Sequence, residues 1–179
     1  VNIEQSPDVF AADYIGEPGR RVFFLQARTE EGAISFVLEK QQVTVLAERM
    51  RDILLMIDSD DTIKSAGASR DPALQVVDPE PEWRVGNMGL AYDEDEDRVI
   101  VLLEEVQPEP DEEDEPRVED AGAARLSLRR DQARSFILHA IAVVNEGRPI
   151  CQLCGLPMDP AGHKCPASNG HHVAEAPEL

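Results

Sequence analysis

The chain has 179 residues, a formal net charge of -19 from 36 acidic against 17 basic side chains, and three cysteines. That length supports one substantial domain or two small ones, and so acidic a body makes a phosphate backbone a poor default partner. It contains no run of roughly eighteen apolar residues and does not begin with a basic-then-apolar signal, so the expectation is a cytoplasmic protein with no membrane partner.

Apolar stretches predict strands at Val9 to Ile15 and Arg21 to Leu25, and an alternating one at Ile34 to Leu38, separated by turns at Glu17-Pro-Gly19 and Glu30-Glu-Gly32. Val43, Leu46, Met50 and Leu54 then fall on one stripe, which predicts a helix from Lys40 to Ile57. Residues 58–81, rich in Asp, Ser, Ala and Pro, read as a surface linker. Strands follow at Trp83 to Ala91, Arg98 to Leu102 and Ala124 to Leu128, and a helix from Asp131 to Asn145 stops at Gly147. Residues 107–120, acidic and broken by Pro108, Pro110 and Pro116, cannot bury enough apolar surface to offset their ordering entropy and read as a solvated loop.

The two halves carry the same order. Ile34 to Val43 aligns with Ala124 to Ala133, and the helical stripe continues as Ala133, Phe136, Ala140 and Val144. The fold class expected is therefore α+β: a duplicated strand-strand-strand-helix unit with antiparallel sheets and two covering helices, plus a small C-terminal zinc knuckle. The expected boundaries are 1–57 for the first unit, 58–81 for the linker, 82–147 for the second unit with the acidic insertion 107–120, 148–170 for the zinc module and 171–179 for a disordered tail. Trp83, Phe10, Phe23, Phe24 and Phe36 are expected in the core.

All three cysteines lie within fifteen residues, as Cys151-Gln-Leu-Cys154 and His163-Lys-Cys165. Two thiolates separated by two residues grip one tetrahedral ion from a tight turn, and His163 with Cys165 completes a closed sphere of four ligands. A closed Zn2+ site folds the chain and does no chemistry. His171 or His172 could substitute for His163. A redox dithiol is the weaker reading, because Pro149 and a Pro/Gly-rich turn flank the pair where a thioredoxin-like motif needs strand and helix.

Few other constellations carry chemistry. His139, on a helix beside Phe136 and Ile137, reads as a satisfied core histidine rather than a general base. Asp93, Asp95, Asp97 and Glu104 imitate a calcium loop, but Arg98 stands where glycine is required. Arg125, Arg129, Arg130 and Arg134 gather near the second helix start; they either pair with acidic loops or form an anion or nucleic-acid site.

The string Cys151 to Gly170, together with Arg21-Val-Phe-Phe-Leu-Gln-Ala-Arg28 and Leu38-Glu-Lys-Gln-Gln42, resembles an uncharacterised actinobacterial family of unknown function, domain of unknown function 3090, whose members end in a zinc-type motif. The resemblance implies a cytoplasmic bacterial protein and supplies no activity or substrate. Three functional expectations stand beside it. The first is a non-enzymatic interaction module with a structural zinc, docking an unknown protein partner. The second is a single-strand nucleic-acid binder with a PUR-like duplicated fold, which needs aromatic side chains on an exposed sheet face. The third is an enzyme whose acidic site would bring together Glu39, Glu104 or Glu105.

Overall fold

The computed structural model describes residues 2–17, 20–57, 67–107, 121–146, 151, 153, 154 and 165. It divides into two compact units, Val1–Val144 and Asn145–Leu179. The acidic segment 108–120 and the tail 171–179 lie outside the described residues.

Alternation of apolar side chains builds seven strands in the first unit: β1 (Asn2–Gln5), β2 (Val9–Ile15), β3 (Val22–Thr29), β4 (Gly32–Leu38), β5 (Pro81–Asp93), β6 (Arg98–Glu105) and β7 (Ala123–Leu128). Two helices accompany them, α1 (Lys40–Ile57) after β4 and α2 (Arg130–Asn145) after β7. The strands form one mixed sheet in the order β1-β7-β6-β5-β4-β3-β2. The class is α+β, as expected. The sheet is not purely antiparallel, however: β2-β3-β4 and β5-β6-β7 are antiparallel meanders, but β4 runs parallel to β5 and β1 parallel to β7. The reason is the helix after β4, which carries the chain back so that β5 enters in the same direction as β4.

β1 and β2 stand at opposite ends of the strand order, yet only residues 6–8 separate them. So short a connection spans at most about 14 Å, so the sheet must curl until its two edges meet. Phe10, Leu25, Phe36, Val101, Leu103 and Leu126 line the inside of this curl and pack against α1 and α2 in one core. Phe10 meets Phe136 of α2 with ring centroids 4.7 Å apart, and Phe36 meets Trp83 at 4.6 Å. Phe24 is buried as expected but lies outside that core, because it alternates with Phe23 and Leu25 and points to the opposite face.

Each helix is capped by a glutamine in its first turn. Gln42 Oε1 accepts from the Glu39 N–H at 2.8 Å, while Gln42 Nε2 donates to the carbonyls of Val85 and Gly86 at 3.1 and 3.0 Å. Gln132 Oε1 accepts from the Arg129 N–H at 2.9 Å, while Gln132 Nε2 donates to Pro7 and Asp8 at 2.6 and 2.8 Å. In both cases the cap stitches the helix to a place where the neighbouring strand is interrupted: the irregular register between Val85 and Met88 in β5, and the break between β1 and β2. Gly86 is required there, because a Cβ would stand 2.9 Å from Val106 Cα.

Part of the expected linker is a packed element. Residues 67–80 form a strap with a single 3-10 turn at Pro72–Leu74, over the face of β2-β3-β4 that points away from the core. Gln26 and Val77 exchange two hydrogen bonds, Nε2 to the carbonyl at 2.9 Å and N–H to Oε1 at 3.1 Å. Arg28 donates to the Ala73 carbonyl at 2.5 Å, Arg70 pairs with Asp13, and Leu74 is buried. Ala11, Asp13, Phe24, Gln26 and Ser35 are consequently all buried on that face. β5 begins at Pro81, directly at the end of the strap.

Candidate metal centre

The turn through Cys151, Leu153 and Cys154 brings two thiols together, and Cys165 returns to meet them. One sulfur from each of the three lies within 4.8 Å of the others, and Cys151 Sγ is 3.8 Å from Cys165 Sγ. A disulfide would require about 2.05 Å, so none of these sulfurs is bonded to another. Cys151 is buried and the other two are half-buried.

The electrostatics of the turn favour thiolate. The N–H of Cys154, then that of Leu153, point at the Cys151 sulfur and hold its thiol below the ordinary value of 9.0, with the thiols of Cys154 and Cys165 adding smaller contributions. Amides that converge on a sulfur in a tight turn stabilise the charged ligand that a metal needs. The three cysteines can therefore hold a metal ion. Sequence spacing found all three; His163, with its alternatives His171 and His172, lies outside the described residues.

Each of the four arginines has a partner. Arg125 pairs with Glu4 across the parallel β1-β7 edge at 3.0 Å. Arg129 holds Asp131 at 3.1 Å, at the first turn of α2. Arg130 Nε donates to Asp97 Oδ1 at 2.5 Å and its Nη2 to the Tyr92 hydroxyl at 2.8 Å, and Tyr92 in turn donates to Asp97 at 2.5 Å. Arg134 stands one turn further along the same helix and also has an interaction partner.

Acidic residues are likewise engaged. Asp93 Oδ1 accepts the N–H groups of Asp95 and Glu96 and so organises the β5-β6 turn, and Asp97 is taken by Tyr92 and Arg130, which leaves the calcium-loop imitation without free carboxylates at those two positions. Glu39 pairs with Arg84. Glu104 accepts from Asn87 at 3.1 Å and Glu105 from the Gly122 N–H at 2.9 Å, along a shared cleft that Glu39 does not line.

His139 has no exposed surface, and its Nδ1 accepts the Asp71 N–H at 2.9 Å, across 68 residues of chain. Only the three-dimensional return of the strap creates that bond, so the sequence shows a satisfied core histidine without its partner.

Among the described residues no helix is long and apolar enough to cross a membrane. No curated protein and no solved structure matches the chain. The profile of the family described as "Protein of unknown function (DUF3090)" matches residues 4–165, which takes in the curled sheet, both helices and all three cysteines. The chain belongs to the DUF3090 family.

Proposed function

We propose that this protein is a non-enzymatic interaction module: a duplicated strand-strand-strand-helix body joined to a C-terminal module folded around a structural zinc ion. The observation that carries it is the convergence of the three thiols. In a tetrahedral sulfur site with bonds of about 2.3 Å, neighbouring ligands lie about 3.8 Å apart, and Cys151 and Cys165 stand at 3.8 Å. Thiolate-rich ligands at this spacing select zinc among abundant divalent ions, and His163 completes the set. Unbridged thiols in such a site suit a reducing, cytoplasmic compartment.

Duplication is supported by the matching roles of the opening strands, with a register shift between Ser35 and Phe36 in one of the two pairs. Gln5 opposes Leu126 in the parallel β1-β7 pair, and Trp83 opposes Phe36 in the parallel β4-β5 pair, so the opening strand of each half joins the last strand of the other. The two glutamine caps repeat the same exchange.

The halves differ in what covers them, and that difference supports a docking role. Beside α2 and β2 the strap fills the groove, with Leu74 buried and Asp71 bound to His139. The corresponding groove beside α1 and β5 is a cleft of about 320 Å³, and along it Val45, Ile53, Met56, Met88 and Leu90 present apolar surface. Met56 is 78% exposed, an unusual outlay of apolar area for a helix with a core face of its own. Flexible methionine side chains suit a surface that adapts to a protein partner.

The test is twofold. Elemental analysis of protein purified without added metal should give one zinc per chain, reduced to background in Cys154→Ser; unchanged zinc in that variant ends the ligand assignment. Affinity capture with the full chain and with Met56→Asp should recover a partner that only the first retains; identical recoveries would move the interaction off this groove.

A further inference from the structure

The strap is held at both ends by groups of different kinds. At its far end, Val77 is bound through neutral amide bonds to Gln26, which do not titrate. At its near end, the Asp71 N–H rests on Nδ1 of His139, a bond that exists only while that nitrogen carries a lone pair. The imidazole sits in α2 with no exposed surface, so protonation cannot be absorbed by turning the ring toward water.

We propose that His139 is a pH-sensitive latch for the strap of residues 67–80, closed while its imidazole is neutral and released when it binds a proton. Protonation places an N–H on Nδ1 against the N–H of Asp71, two donors facing one another at 2.9 Å. Relief requires the 70–74 part of the strap to move away, which lifts Leu74 and uncovers Asp13 and Ala11.

Three charged groups face the imidazole: Asp13 from β2, and Arg70 and Asp71 from the strap. Burial is the largest influence and holds the imidazole below its ordinary 6.5; Asp13 and Asp71 oppose that, while Arg70 reinforces it. The sign follows from linkage. A histidine held neutral in the folded form contributes stability that is complete above its unfolded value of 6.5 and is lost as pH falls through the lower folded value. Release therefore comes on acidification. Arg70 and Asp71 leave together with the strap, one charge that opposes the imidazolium and one that favours it, so the open form is favoured by the hydration the ring gains.

The experiment follows the Asp71 and Val77 amide protons and the His139 ring carbons by NMR in the full-length, metal-loaded protein between pH 7.5 and 5, with exchange rates corrected for intrinsic pH dependence. The expected result is that Asp71 loses protection by at least about tenfold, the change that loss of one buried hydrogen bond produces, with the same midpoint as the His139 ring. His139→Asn places an uncharged acceptor near the Nδ1 position and should abolish the pH dependence. Asp13→Asn should leave the loss in place and move its midpoint down, because a carboxylate that favours the imidazolium has been removed. Asp71 protection that stays constant through the His139 titration would overturn the latch, as would an equal loss in His139→Asn. If His139→Asn does not fold, coincidence of the two wild-type midpoints decides the matter, and separation of them refutes it.

Discussion

Gln42 and Gln132 make the same bonds from equivalent positions: each caps its own helix through Oε1 and uses Nε2 to hold two consecutive carbonyls of the opposite half. Because each glutamine reaches out of its own half, the two halves are locked by reciprocal bonds as well as by a shared core. Neither half completes its sheet alone, since β1 pairs with β7 and β5 with β4.

Replacing either glutamine with alanine removes three hydrogen bonds and leaves carbonyls at a strand break without their donor. Each change should cost about 1–3 kcal/mol in a chemical-denaturation experiment, with Gln132→Ala at the upper end because its side chain is buried and that of Gln42 only partly so. Gln132→Glu keeps the cap acceptor but sets a carboxylate against two carbonyls, and should be worse than alanine. A Gln132→Glu protein as stable as wild type would remove the stitching role.

The elements that obey a short period were legible in the sequence; the pairings between distant strands were not. Alternation along Ile34 to Leu38 and the stripe Val43, Leu46, Met50, Leu54 report which face is buried, and the structure buries Phe36, Leu38 and all four stripe residues. Nothing in such a pattern says that β4 must meet β5 in parallel, or that four residues at the start of the chain serve as a strand for the last one, because those choices are set by closure of the sheet. The strap escaped notice for a related reason. Its Pro, Asp and Ser content marks a loop, but Leu74, together with Gln26 and Ser35 beneath it, is buried by contacts that exist only after the chain returns. The convergence of Cys151 and Cys154 was legible because a two-residue spacer is itself the geometry: the amides of Leu153 and Cys154 reach Cys151 within one turn.

Residues buried in the core and residues on the outer face of the sheet should separate cleanly in a mutational series. Phe136 has no exposed surface and stacks on Phe10, so Phe136→Ala should cost about 3–5 kcal/mol. Leu102 lies on the outward face of β6 and is 42% exposed, so Leu102→Ala should cost under about 1 kcal/mol. Comparable losses at the two positions would mean that the outer face of β5-β6-β7 is covered as tightly as the inner one.

Metal removal should act locally before it acts globally. Chelation at neutral pH should be sharply pH-dependent, because protons compete with the ion for three thiolates, and release should become easier as pH falls. Cys151→Ser should be the most damaging of the three cysteine changes, since its sulfur receives the amide bonds of the turn. His163→Ala, with His171→Ala and His172→Ala as controls, identifies the fourth ligand: the variant that weakens zinc affinity by orders of magnitude carries it, and equal affinities across all three would call for a ligand outside the histidines.

The triad of Tyr92, Asp97 and Arg130 makes a titration prediction whose order is set by its geometry. Asp97 is held below its ordinary 3.8 first by the hydrogen bond from Tyr92 and then by that from Arg130. A depressed carboxyl contributes stability that is present above the unfolded value and lost as pH falls through the folded one, so the fastening of α2 to the β5-β6 turn weakens only in acid below about pH 4. Carboxyl carbon NMR should therefore find the Asp97 midpoint below 3.8 in wild type. Tyr92→Phe should raise it more than Arg130→Gln does. Were the arginine change to dominate instead, the attraction of the half-buried guanidinium, rather than the 2.5 Å bond from the phenol, would be what keeps this carboxylate charged.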